Sequence, residues 1–300
     1  MNSGMDAPHL PAGHPFHAVI EAAVGRRLGA APASVPEPSA LWGADFYGLD
    51  RARAFTSAGD DARRATLGLC AEGLLEEGYF IEKSGLNCNA TLMLAAETIE
   101  EKTLYALMAA DEAVHLRLVA PYLPRAAERT AQNPFLKLLS RVIEEGSAPA
   151  KVYLLQVLLE GWGLTHYKSL GDGCLDPHLA ESLRRILKDE ALHHRGGVLL
   201  FDPAKLSDSD RAFVVDAGVE IFRMVQAGPQ LVVSALERAT GGFSRERKIE
   251  LFRDLDTQTQ AGARLKLLRG LLGEVDSSFL QDTFARYGLE RPLTPEECAA

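Results

Sequence analysis

The chain has 300 residues, of which 47% are hydrophobic and 24% charged, and a formal net charge of −9. That length supports a sizeable core, in one large domain or two ordinary ones. The acidic balance argues against a broad nucleic-acid footprint and against an anionic membrane surface, because both partners need clustered Lys and Arg.

Cys70, Cys88, Cys174 and Cys298 are widely scattered and form no Cys-x-x-Cys pair. A zinc or redox motif is therefore not expected. The segment from Met1 to Phe16 has neither a basic start nor an apolar run. No stretch approaches the roughly 18 apolar residues of a membrane span. These features predict a cytoplasmic protein with reduced thiols and no membrane partner.

In chain order, residues 1 to about 15 read as disordered, and a short helix is expected near His17–Leu28. Gly29–Ala40 carries three prolines and reads as a loop. From Asp60 onward helical signals dominate and strand signals are scarce, which predicts an all-α chain. A first long helix is expected over Asp61–Lys83, interrupted by Gly85-Leu-Asn-Cys-Asn89. A second is expected from Ala90, re-nucleated by a capping box at Thr98-Ile-Glu-Glu101, and running to Ala120. Asn133-Pro134 opens a shorter helix that ends near Gly146. A third long helix is expected over Ala148–Leu170 and a fourth from Asp176-Pro177 to Arg195, before Gly196-Gly197. Further helices are expected near Asp208–Gln226, Pro229–Thr240, Ser244–Leu272 and Ser277–Tyr287. Leu251, Leu255, Leu265, Leu268 and Leu272 would share a buried face. The expected division is an N-terminal extension (1–59), a helical bundle (60–200) and a C-terminal extension (201–300) that packs on the bundle or forms an interface.

Two segments read Asp-Glu-x-x-His: Asp111-Glu112-Ala-Val-His115 and Asp189-Glu190-Ala-Leu-His193. Each follows a Glu-Gly-aromatic triplet, Glu77-Gly78-Tyr79 or Glu160-Gly161-Trp162. Glu112 follows Glu77 by 35 residues, and Glu190 follows Glu160 by 30. Residues i and i+3 share a helix face, so each Glu-x-x-His pair can converge on one centre. One such pair usually marks a solvated face; the doubled order points to a two-metal carboxylate site in a four-helix bundle. The bundle would be two antiparallel hairpins joined by a crossover near Leu123–Gly146. Four buried carboxylates need compensation, and two divalent cations supply it. A mixed His and carboxylate set suits iron or manganese better than calcium or magnesium.

The predicted metal ligands are Glu77, Glu112, His115, Glu160, Glu190 and His193. Glu77 is preferred to Glu76 because its face holds Cys70, Leu74 and Ile81, whereas Glu76 shares a face with Glu72 and Lys83. Asp111 and Asp189 are expected behind the ligands, Asp111 holding His193 and Asp189 holding His115, as carboxylates often orient metal-bound histidines. His194 and His166 read as structural. Tyr105, Tyr153 and Tyr167 read first as core. Phe80, Tyr105, Met108, Tyr153, Gln156 and Trp162 are the candidate walls of a substrate pocket.

From about Asp60 to Arg195 these residues resemble the ferritin-like superfamily of di-iron carboxylate proteins, and within it the non-haem di-iron oxygenases and oxidases. The resemblance implies a ferritin-like four-helix bundle with additional C-terminal helices. It implies one iron on Glu77, Glu112 and His115 and another on Glu160, Glu190 and His193, with Glu112 and Glu190 bridging. Manganese or a mixed manganese–iron pair fits the same ligands. The implied activity is activation of dioxygen to oxidise a small organic substrate, with electrons from an external donor such as a ferredoxin or reductase. The alternatives are a ferroxidase or peroxidase without organic substrate, and a tRNA-hydroxylase-like enzyme, which the −9 charge disfavours. Arylamine N-oxygenases carry an extra histidine four residues before the last Glu, where this chain has Ile186. The C-terminal helices offer a surface for a homodimer.

Overall fold

Apolar residues recur at helical spacing over most of the chain, and the computed structural model forms helices throughout. It describes residues 3–11, 13–28, 32, 34–123 and 133–300, and no strand occurs among them. No helix among the described residues is long and apolar enough to cross a membrane. The chain divides into two compact units, Met1–Pro36 with Leu75–Ala148, and Glu37–Leu74 with Pro149–Ala300.

The helices are α1 (Phe16–Val24), α2 (Arg53–Thr56), α3 (Asp60–Ala95), α4 (Ile99–Val119), α5 (Pro134–Glu145), α6 (Ala148–Lys151), α7 (Glu160–Gly173) and α8 (Pro177–Leu200). They continue as α9 (Asp208–Gln226), α10 (Gln230–Thr240), α11 (Arg245–Asp254), α12 (Thr257–Leu272), α13 (Ser278–Arg286) and α14 (Pro295–Cys298). A π-helical segment, Val152–Leu159, lies between α6 and α7.

Several predicted boundaries move. The expected break at Gly85–Asn89 is absent, and α3 runs without interruption from Asp60 to Ala95. A mid-helix glycine costs only about 1 kcal/mol relative to alanine, and Gly85 has a packing role described below. Gly196-Gly197 likewise lies inside α8, where Gly197 packs directly against Gln156. The expected helix over 244–272 is two helices, parted at Asp256, whose φ of 50° is left-handed. The C-terminal α14 was not expected; Thr294 caps it through a capping box with Glu297. The other boxed start, at Thr98, forms as predicted: Thr98 Oγ1 accepts from Glu101 N–H, and Glu101 Oε2 accepts from Thr98 N–H.

In the first unit, α5 is capped by Asn133 and buries Leu136, Leu138, Leu139, Val142 and Ile143. Residues 1, 2 and 12 of the segment expected to be disordered lie outside the described residues, as do 29–31 and 33 of the expected loop and 124–132 of the expected crossover. Ser3 and Met5 are buried; Ser3 N–H donates to Glu144, and Ser140 Oγ lies 3.4 Å from Met5 Sδ. In the second unit, α7 packs on α8, and α12 packs on α7 and α9. Leu251, Leu255, Leu265, Leu268 and Leu272 are all buried there.

Two outcomes follow. Thr98→Ala removes an N-cap and should lower unfolding stability by about 1 kcal/mol in denaturant melts; an unchanged midpoint would contradict the cap. His166 on α7 is pushed down from 6.5 to about 4 by burial and by Arg264. The unfolded chain therefore takes up that proton first, and stability falls as pH drops from about 6.5 towards 4. His166→Gln should flatten this limb of a stability-against-pH curve.

Candidate metal centre

The inward stripe of α4 is Tyr105, Met108, Glu112, His115 and Val119, all buried. Its spacing of three and four residues is that of one helix face, so a carboxylate and an imidazole sit in an otherwise apolar row. The matching row on α3 is Leu75, Tyr79, Glu82, Gly85, Asn89 and Leu92. Glu82 and His115 are almost wholly buried, with 1% and 0% of their surface exposed. His115 Nδ1 donates to Glu82 Oε2 at 2.9 Å and lies 3.5 Å from Glu112 Oε2. Asn89 Nδ2 donates to Glu112 Oε1 at 3.3 Å.

In the second unit, α8 buries Leu179, Leu183, Ile186, Glu190 and His193 along one stripe. His193 Nδ1 lies 3.6 Å from Glu190 Oε2 and 3.9 Å from Glu160 Oε2. Glu160 is the first residue of α7, immediately after the π-helical segment. There Glu160 N–H bonds to Leu155 C=O, five residues back. Such segments are rare and occur disproportionately at functional sites. Tyr153 is packed in core, with its ring 4.9 Å from Phe201 and 6.2 Å from Phe279. Phe80, Tyr105, Met108 and Gln156 are buried, and Trp162 is half-buried.

These buried Glu and His side chains could bind a metal ion. In the first unit, ligand atoms of Glu82, Glu112 and His115 lie within 4.8 Å of one another; in the second, those of Glu160 and His193 do, with Glu190 Oε2 3.6 Å from His193 Nδ1. Five of the six predicted ligands belong to these groups. The sixth, Glu77, is in neither group, and Glu82 is in the first. Glu77 Oε2 instead accepts from Asn133 Nδ2 at 2.9 Å, while Asn133 Oδ1 caps α5. Burial pushes the Glu77 carboxyl up, opposed by that hydrogen bond. Its role in the structure is to hold the start of α5.

Two signals in the sequence point to Glu82. Glu112 follows Glu82 by 30 residues, the same interval as Glu160 to Glu190. Both helices also read Glu-x-x-Gly, Glu82–Gly85 and Glu160–Gly163. The Glu-Gly-aromatic triplet that favoured Glu77 is the weaker repeat.

Arg27 donates to Asp111 at 3.0 Å, with both side chains partly exposed, and Asp189 is half-buried on α8. His194 ties elements together, as a structural residue would: its Nδ1 donates to Gln156 C=O at 3.1 Å, and its Nε2 lies 2.9 Å from Glu274 Oε2.

No family model, curated protein or solved structure matches the chain.

Glu82→Gln and Glu77→Gln separate the two assignments. Removing a metal-binding carboxylate should weaken metal uptake by about tenfold or more in Glu82→Gln and leave it unchanged in Glu77→Gln. Glu77→Gln should instead alter the melting of α5. The reverse metal result would restore Glu77 as the ligand.

Proposed function

We propose that this chain is a dimetal oxidoreductase of the ferritin-like type, which uses iron and dioxygen to oxidise a small organic substrate. The observation that carries the proposal is the repetition of one buried donor set: Glu82 and Glu112 about His115 in the first unit, and Glu160 and Glu190 about His193 in the second.

The donor set fits a pair of metal ions. Four ionised carboxylates, Glu82, Glu112, Glu160 and Glu190, balance two divalent cations, and neither the charges nor the cations could be buried alone at tolerable cost. His115 and His193 add imidazole nitrogen, which together with carboxylate oxygen suits iron or manganese. Bound iron would supply electrons to dioxygen, and an external donor would restore them.

The chain's own residues have separate tasks in this reading. The carboxylates bind and neutralise. His115 would hold a metal as a neutral imidazole, and its Nδ1 is the atom that faces Glu82 and Glu112. The apolar neighbours on the same stripes, Tyr105, Met108, Leu183 and Ile186, keep water from the donors, which strengthens every charge interaction among them. Burial of the donors in apolar rows also supports an organic substrate over a freely exchanging iron substrate.

Protein expressed with supplemental iron should carry about two metal ions per chain and consume dioxygen when reduced. His115→Ala and His193→Ala should each lose metal and oxygen uptake together. Fewer than about one ion per chain in the wild type would contradict a resident pair. Full-rate oxygen consumption driven by added iron alone would instead assign a ferroxidase.

A further inference from the structure

On α3, Gly85 and Asn89 continue the same face as Glu82, three and seven residues on. They meet one partner, Glu112. A side chain at position 85 would begin 2.7 Å from Glu112 Oε1 and 2.8 Å from its carboxyl carbon. Glycine at 85 is therefore the gap in which that carboxyl group lies. Asn89, only 3% exposed, donates Nδ2–H to Oε1 of the same group. Glu112 Oε2 is the oxygen turned towards His115.

We infer that Asn89 is a positioning residue that, with the gap at Gly85, fixes the Glu112 carboxylate by one oxygen and leaves the other to lead metal binding. The inference rests on the metal reading above. An amide donor stabilises the ionised carboxylate and restricts its rotation. A carboxylate held in this way keeps its geometry while other ligands adjust.

The test is a Co²⁺ titration of wild type, Asn89→Ala and Asn89→Asp, followed by visible d–d absorption, with thermal melts in chelator to check folding. Asn89→Asp keeps the shape and loses the donor. Both variants should bind Co²⁺ about tenfold or more weakly and show altered band intensity, because Glu112 is free to change its mode of coordination. A role in packing alone would leave the spectrum of the loaded protein unchanged. Wild type that takes up no Co²⁺ overturns the reading that both inferences share. Co²⁺ uptake with the same affinity and spectrum in all three proteins overturns the positioning role alone. If neither variant folds, the Asn89 side-chain amide protons of the wild type decide. Exchange protection that persists after loading with Zn²⁺ supports the inference, and exchange at the rate of free solvent overturns it.

Discussion

Burial of carboxyl groups is the constraint that organises this molecule. A carboxylate removed from water without compensation costs several kcal/mol or more. Glu82, Glu112 and Glu190 nevertheless lie within rows of Leu, Ile, Tyr and Met that are as deeply buried as any core. Each is compensated by a specific neighbour. His115 faces Glu82 and Glu112, His193 faces Glu160 and Glu190, and Asn89 donates to Glu112. The helices are shaped around these contacts, down to the missing side chain at Gly85.

The same constraint explains irregularities that local propensity would not predict. A long glycine-containing helix persists through Gly85 because the vacant volume is filled by the Glu112 carboxyl group. Helix α8 persists through Gly196-Gly197 because Gln156 needs close approach at Gly197. The π-helical segment before Glu160 spends regular hydrogen bonding over Val152–Leu159, and His194 fastens it by donating from Nδ1 to the Gln156 carbonyl. Such departures are expected to concentrate where a site imposes its own geometry.

Much of this was legible in the sequence. Helical periodicity, the capping box at Thr98 and the Asn133-Pro134 start each act within a few residues, so they survive the lack of tertiary information. The doubled Glu-x-x-His likewise places its pairs through the i, i+3 geometry of a helix. The partner on α3 was harder to read. Both Glu77 and Glu82 lie on faces with apolar members, and only the packing of α3 against α4 decides which face turns towards His115. The 30-residue interval common to Glu82–Glu112 and Glu160–Glu190 carried that information, but the conspicuous aromatic triplet masked it. The π-helical segment left no local trace, because its wider turns are stabilised by contacts made far along the chain, at His194 and Gly197.

Crystals of iron-loaded protein measured on either side of the iron absorption edge test the central claim most directly. A resident pair of ions predicts two anomalous peaks, one beside His115 and the other beside His193. A single peak, peaks at other residues such as His9, His14 and His17, or none at all, would contradict it.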